Sequence, residues 1–382
     1  MPTGAPPADK VVNARILERC AQMAPELLQV FGDLGKPTHG LDPGLSKERQ
    51  WDLFRWMLTL RTIDTKMLIV QRQGRVGFHG PTTGQEAAII GSAAALEPND
   101  WVYSALREAG GACLMRGMPM DKMLAENFGS ALAPQKGRQM PCHYSWQPAN
   151  VVAWSSCIGS QLPHAVGTAM AMQYKGDKSV TMGYLGDGAT SEGDFHVAAN
   201  FAGVYKAPVV LFCQNNQWAI SVSAKAQTAS ESFAVKADAY GFPGIRVDGN
   251  DVLAVYKVTK DAVQRAREGK GPTLIEALTY RMGPHSSSDD PTRYRDPKEE
   301  ELWRGRDPID RFRKFLGANG VWTKARETEL QGRLDDEVAG AIDRAEKAGM
   351  PTPESMIEDV WGEVPGMLRR QFEAVERERR NA

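Results

Sequence analysis

The chain has 382 residues, 42% of them hydrophobic, enough for one large or two ordinary domains around a sizeable core. Its 46 basic and 47 acidic residues nearly cancel, which argues against a nucleic-acid protein, since that needs a basic face. No apolar run reaches the roughly 20 residues that span a bilayer, and the 5 scattered cysteines contain no CxxC pair, so neither a membrane protein nor a disulfide or zinc scaffold is expected.

Residues 1–45, rich in Pro, Gly and Ala, read as an N-terminal arm with one short helical pattern over 16–31. They carry acids among their bases and no signal-peptide core, so a cytoplasmic protein is expected. Apolar spacing at Leu53, Met57, Leu60 and Met67 then predicts an amphipathic helix with Ser46 as N-cap. The glycine-punctuated turn 77–88 leads into a second helix. Phe78 and His79 are candidates to line a substrate pocket, whereas Glu86 reads equally well as a helix-start acid.

Short apolar runs at 100–106, 179–187, 207–216, 244–249 and 272–281 alternate with helical patterns. That alternation predicts an α/β fold, a parallel sheet flanked by helices, with sites beyond the C-terminal strand ends. The helix over 163–175 carries small residues at Ala165, Gly167, Ala169 and Ala171, which suit either a subunit contact or tight packing on the sheet. Residues 283–310 read as a polar, proline-punctuated loop. After it, Leu330, Leu334, Val338 and Ile342 keep a helical stride. The expected organisation is an arm (1–45), an α/β domain (46–320) and a helical segment packed on it (321–382).

The strand over 180–185 runs into Gly186-Asp187-Gly188-Ala189, and a helix is expected near Ser191, a candidate N-cap with Asp194 three residues on. Free amides at such a helix start suit an anion. A dinucleotide fingerprint would need a third glycine and an acid ending the next strand. That strand instead ends in Gln214-Asn215-Asn216, and no Walker loop is present. An acid beside a phosphate is repulsive until a cation lies between them. Mg2+ wants about six oxygens and takes one or two from protein, the rest from phosphates and water. Asp187 offers a carboxylate and Asn216 an amide oxygen, because adjacent strands lie about 4.8 Å apart. The Trp218 carbonyl can complete the protein's share. The rival reading is an Asp-Gly turn and an Asn helix cap.

Gly-Asp-Gly followed by Asn-Asn resembles the thiamine diphosphate signature. Over about residues 46–372 the chain resembles the alpha subunits of the two-chain 2-oxo acid dehydrogenases, most of all their branched-chain 2-oxo acid dehydrogenase branch. The stretches that carry this are KGRQMPCHYS (136–145), NNQWAIS (215–221), IRVDGNDVLAVY (245–256) and TYRMGPHSSSDDPTRYR (279–295). The resemblance implies the diphosphate-binding half of a thiamine diphosphate-binding fold. It implies an oxidoreductase that uses thiamine diphosphate and Mg2+ to decarboxylate a branched-chain 2-oxo acid and pass the acyl group to a lipoyl group. By the same resemblance His285 is the active-site histidine and Arg107 and Arg281 approach the diphosphate. Ser156, Ile158, Gly186, Asp187, Gly188, Ala189 and Asn216 bind the cofactor or its metal, and Ser155, Ser160 and Gln161 match a loop able to hold K+.

In this family the carboxylate that activates the cofactor lies on the beta subunit. The resemblance therefore implies an alpha2beta2 heterotetramer docked on a lipoyl-bearing acyltransferase core. Pyruvate or acetoin is the alternative substrate; a non-catalytic nucleotide-binding or scaffolding subunit is the alternative from another class. The chain departs from the pattern at Leu106, where tyrosine is usual, and at Gln214, where mitochondrial members often have arginine. Cys157, where relatives often have proline, is read as a small buried residue. Ser286 matches a phosphorylated position of mitochondrial relatives, and Asp296 replaces their second. Taken alone, Arg107 and Arg281 also suit surface ion pairs with Glu108 or Asp290. His39, His143, His164 and His196 show no ligand spacing and are read as structural.

Overall fold

The computed structural model describes residues 26–32, 35, 41–358 and 360–381. Most of the helical pattern expected over 16–31 lies outside them, as do Cys20 and His39. Its described end is not helical: Leu27–Leu28 forms a strand, β1, at the sheet edge. Next, α1 (Lys47–Arg72) begins where the Ser46 side chain accepts from the Arg49 amide at 3.2 Å, the expected N-cap, and buries Leu53, Met57, Leu60 and Met67.

Then come α2 (Glu86–Ala94), β2 (Trp101–Tyr103), α3 (Glu108–Met115), α4 (Met120–Phe128), β3 (Val151–Val152), α5 (Gln161–Lys175), β4 (Thr181–Gly186), α6 (Gly193–Tyr205) and β5 (Val209–Asn215). A small hairpin of β6 (Trp218–Ala219) and β7 (Val222–Ser223) and one turn of helix, α7 (Ala224–Gln227), lead to β8 (Gly244–Asp248), α8 (Val252–Arg267) and β9 (Thr273–Leu278). The chain closes with α9 (Pro297–Arg304), α10 (Pro308–Ala318), α11 (Lys324–Lys347), α12 (Ser355–Glu358) and α13 (Gly366–Asn381).

The strands form one 7-stranded sheet in the order β1-β8-β9-β5-β4-β2-β3, with every neighbouring pair parallel. Each strand run expected from the sequence is present. Side chains alternate across the sheet as strand geometry requires. Val210 and Phe212 of β5 join the core built with α1, α2 and α8, whereas Val209, Leu211 and Cys213 join the core built with α5 and α6. On α11, Leu330, Leu334, Val338 and Ile342 are buried, and the helix packs on α1 and α4. Among the described residues no helix is long and apolar enough to cross a membrane.

Two readings need correction. The segment 283–310 is partly helical: Pro297 and Pro308 are the first residues of α9 and α10, and Asp296 and Asp307 cap them by accepting from the Lys298 and Ile309 amides. Proline at a helix's first position loses no hydrogen bond, so it starts these helices rather than breaking them. On α5 the small residues do not share one role. Ala165 and Ala169 are buried against the sheet, whereas Gly167 and Ala171 are exposed on the opposite side.

Candidate active site

Beyond the C-terminal ends of β4 and β5 lies a cavity of about 530 Å³, where open parallel sheets place their sites. The two strands pair in register up to Gly186 opposite Gln214, which brings Asp187 and Asn216 together just past the strand ends. Asp187 is only 1% exposed. Burial pushes its carboxyl up to about 6, against hydrogen bonds from its own amide and that of Asn216 and the charge of Arg281. One of its oxygens accepts from Gln227 Nε2 at 3.2 Å. Asn216 donates Nδ2 to Gln85 Oε1 (2.8 Å), and its Oδ1 accepts from the Trp218 amide (3.2 Å). A buried carboxylate beside an amide oxygen is costly until a cation shares it.

The turn itself is a 3-10 stretch, Asp187–Ser191, closed by Thr190 Oγ1 donating to the Asp187 carbonyl at 2.8 Å. That extra turn delays α6 to Gly193, so the exposed Ser191 does not cap it as expected; Glu192 holds the position without a side-chain bond. Gly188 has a packing reason: a Cβ there would lie 2.6 Å from Ala219 Cβ, so the hairpin crosses directly over the turn.

Both arginines are buried and work inside the site, not in surface pairs with Glu108 or Asp290. Arg107 donates Nη1 to the Pro81 carbonyl and Nη2 to the His285 carbonyl (2.6 Å) and to His285 Nδ1 (3.2 Å). A guanidinium cannot accept, so His285 Nδ1 is the acceptor and the ring proton sits on Nε2. Burial, then Arg107 and Arg281, push this imidazole down to about 4. At neutral pH it is therefore an uncharged N–H donor. Arg281 donates to the Trp218 carbonyl (3.1 Å), the Ile220 carbonyl (2.7 Å) and the Tyr294 hydroxyl (2.9 Å). Its Nε is buried with no protein partner.

The other expected cofactor residues, Ser156, Ile158, Gly186, Gly188 and Ala189, line the same cavity, as does Trp218. Of the loop matched to K+ binding, Ser155 and Gln161 line it and Ser160 does not, its hydroxyl donating to the Cys157 carbonyl at 2.7 Å. Cys157 is exposed rather than buried, because residues 155–158 form the cavity's open rim. Phe78 lines the cavity. His79 turns away behind Arg107, drawn by the Asp64 carboxylate at 3.0 Å.

Three lining residues escaped the sequence reading. His143 stacks on Trp154 (centroids 3.9 Å apart) and its Nε2 lies 2.8 Å from Ser156 Oγ, so it shapes the site; a lone histidine in a loop gives no spacing to reveal this. Gln227 reaches Asp187 from α7, a four-residue helix too short for periodicity to detect. Glu108 figured only as a possible surface ion-pair partner, yet it is buried, its Oε2 has no partner, and burial pushes its carboxyl up to about 7. Gln161 Oε1 and Gln214 Oε1, on residues lining the same cavity, are also buried without a partner. Orphaned polar atoms of this kind fit a polar ligand, since native interiors otherwise satisfy them. Buried guanidiniums suit an anion, and the carboxylate with the amide suits a cation. Together the donors fit a metal-bridged diphosphate.

A family profile described as "Dehydrogenase E1 component" matches residues 54–354. The chain is 42% identical to "2-oxoisovalerate dehydrogenase subunit alpha, mitochondrial" of Caenorhabditis elegans over 332 residues, 86% of this chain and 77% of that one. It is likewise 42% identical to "2-oxoisovalerate dehydrogenase subunit alpha 2, mitochondrial" of Arabidopsis thaliana, over 86% of this chain and 69% of the relative. To "Pyruvate dehydrogenase E1 component subunit alpha" of Staphylococcus aureus it is 40% identical over 350 residues, covering 91% and 92%.

Proposed function

Because the chain belongs to the dehydrogenase E1 component family, we infer from that premise what its cavity does. The chain is the alpha subunit of a branched-chain 2-oxo acid dehydrogenase, an oxidoreductase. Thiamine diphosphate, on which the family depends, supplies the electron sink that lets a 2-oxo acid lose CO2. One observation supports placing it here: Asp187 and Asn216 meet at the ends of paired strands in a cavity that Arg107 and Arg281 also line.

In this reading Asp187, Asn216 and the Trp218 carbonyl hold Mg2+, while Arg107 and Arg281 bind diphosphate oxygens. His285, neutral with its proton on Nε2, offers that proton to the reacting oxygen and can take it back in the later acyl transfer. Ser156 and Ile158 touch the cofactor at the rim. Phe78, Leu106 and Met140 give the lining an apolar stretch suited to a branched side chain. The family's need for a beta chain makes that chain the partner. We take the assembly to be alpha2beta2, serving a lipoyl-bearing core, with K+ at the Ser155–Gln161 loop as a further ligand.

The test uses the chain purified with its beta partner. Calorimetry should show Mg2+-dependent thiamine diphosphate binding that Asp187→Ala abolishes with assembly intact; unchanged binding would sink the reading. Decarboxylation of 3-methyl-2-oxobutanoate should exceed that of pyruvate with a dye as acceptor. The reverse preference would keep the site and change the substrate, a reading favoured by the Staphylococcus aureus relative, which the chain matches over 92% of its length.

A further inference from the structure

Behind Arg107, outside the large cavity, a cysteine meets a base that is itself oriented by an acid. Cys142 sits in a left-handed conformation (φ 67°), its amide donating to Asn127 Oδ1 (2.9 Å) and its carbonyl accepting from Trp154 Nε1 (2.7 Å). Its Sγ lies 3.8 Å from His79 Nδ1, 3.2 Å from Asn127 Oδ1 and 3.7 Å from the Tyr144 hydroxyl. His79 Nε2 is 3.0 Å from Asp64 Oδ1, and Asp64 Oδ2 accepts from the amide (2.6 Å) and hydroxyl (2.9 Å) of Thr82. A carboxylate so supplied with donors draws the proton on His79 Nε2. Nδ1 then faces the thiol as its base. Nucleophile, base and orienting acid are the parts of an activated thiol. His79 and Tyr144 face the sulfur, Arg107 acts on it by charge and Asp64 lies behind the His79 ring; against the opposing effect of burial, pairing with His79 pulls the thiol below its usual range.

We propose that Cys142 is a modification site, a thiol activated by His79 and Asp64 that hydrogen peroxide oxidises to the sulfenic acid. Geometry also selects the oxidant. A void of about 20 Å³ is lined by Cys142, His79, Asp64 and Tyr144, room for one molecule near the size of water. Leu106 and Arg107 line both this void and the large cavity. In the reaction the thiolate sulfur attacks one peroxide oxygen. The S–O bond forms as the O–O bond breaks, and the departing hydroxide takes the proton from His79 Nδ1 and leaves as water. Sulfur loses two electrons and peroxide gains them. The oxygen left on sulfur fills the void against Arg107, so diphosphate binding weakens. The other described cysteines lack this device. Burial pushes Cys113 and Cys213 up, and the negative charges near them, Glu126 for the first and Glu276 and Asp187 for the second, push them further, while Cys157 lies at the exposed rim.

The experiment treats the intact complex with equimolar peroxide, quenches it, unfolds it with a sulfenic-acid-specific dione and reads each cysteine by peptide mass spectrometry. Cys142 should be labelled at least tenfold faster than Cys113 or Cys213. A bulky organic hydroperoxide should lose that preference and reach only Cys157. His79→Asn should slow labelling of Cys142 about tenfold. Cys142→Ser should keep thiamine diphosphate affinity and escape its decline on peroxide treatment. Labelling of Cys142 no faster than of Cys113 and Cys213 in the unmodified protein overturns the proposal, whether or not the His79 variant folds. The labelling is read without the cofactor, so it can fail while the functional reading above stands.

Discussion

At His285, burial and two guanidiniums act in the same direction and hold the imidazole at about 4. An anion that draws off the charge of Arg107 and Arg281 should let it rise toward the ordinary imidazole range, while burial alone still holds it below that range. Imidazole NMR titration of the dialysed complex, repeated with Mg2+ and thiamine diphosphate, should show that rise; an unmoved titration would separate the arginines from the ligand. Asp187 gives the opposite kind of test. Its folded carboxyl sits above the ordinary range, so proton binding favours the folded chain. Its charge therefore weakens the fold, fully above about pH 6, and the penalty fades as pH falls from there to the ordinary carboxylate range. Asp187→Asn should stabilise metal-free protein at pH 7.5 by roughly 3 kcal/mol, at about 1.4 kcal/mol for each tenfold change in proton affinity, and by less at pH 5. The same variant should lose Mg2+-dependent cofactor binding at least ~100-fold. Equal melting temperatures at both pH values would contradict the burial argument.

Among the elements, the hairpin β6–β7 owes its position to Gly188. Gly188→Ala places a methyl on Ala219 and must lift the hairpin, whereas Gly186→Ala meets nothing within 4 Å. The first should weaken Mg2+–thiamine diphosphate binding about tenfold, ~1.4 kcal/mol, and the second should leave the melting temperature unchanged. If calorimetry and melting curves treat both variants alike, the hairpin contact is not what Gly188 serves. The same scale shows what could be read from the chain beforehand. Strands covered on both faces read as unbroken apolar runs, which is why β4 and β5 and the paired Asp187 and Asn216 at their ends stood out. The two-residue strands β1 and β3 carry no period of their own; their neighbours in the sheet create them. Pro297 and Pro308 looked like loop punctuation because only the Asp before each, in its capping geometry, tells a helix start from a break. His143 and Gln227 reach the site through a stacked ring and a single turn of helix, and neither leaves a pattern in sequence.

For the molecule as a whole, the face of α6 turned from the sheet carries Val197, Phe201, Val204 and Tyr205 exposed, and α5, which packs against α6, carries Tyr174 94% exposed. Scattered apolar residues need no explanation, but a row of them along one helix marks a contact surface. The chain alone should therefore self-associate or precipitate and show no decarboxylation, and adding the beta chain should restore both solubility and activity. Val204→Glu should weaken assembly by tenfold or more in sedimentation while leaving the melting temperature of the isolated chain unchanged; intact assembly would place the contact elsewhere.

Arg281 fastens two places at once. Its fork holds the Trp218 and Ile220 carbonyls, 63 and 61 residues earlier in the chain, on one side and the Tyr294 hydroxyl, 13 residues later, on the other, joining the hairpin to the segment after His285. Ile220, held at φ 55° where β-branched residues rarely sit, has every reason to spring back once released. The two segments should thus behave as a single latch. Amide protons over 218–223 and 285–295 should exchange with one common opening rate, and Arg281→Lys, which keeps the charge but loses the fork, should let each segment open on its own clock.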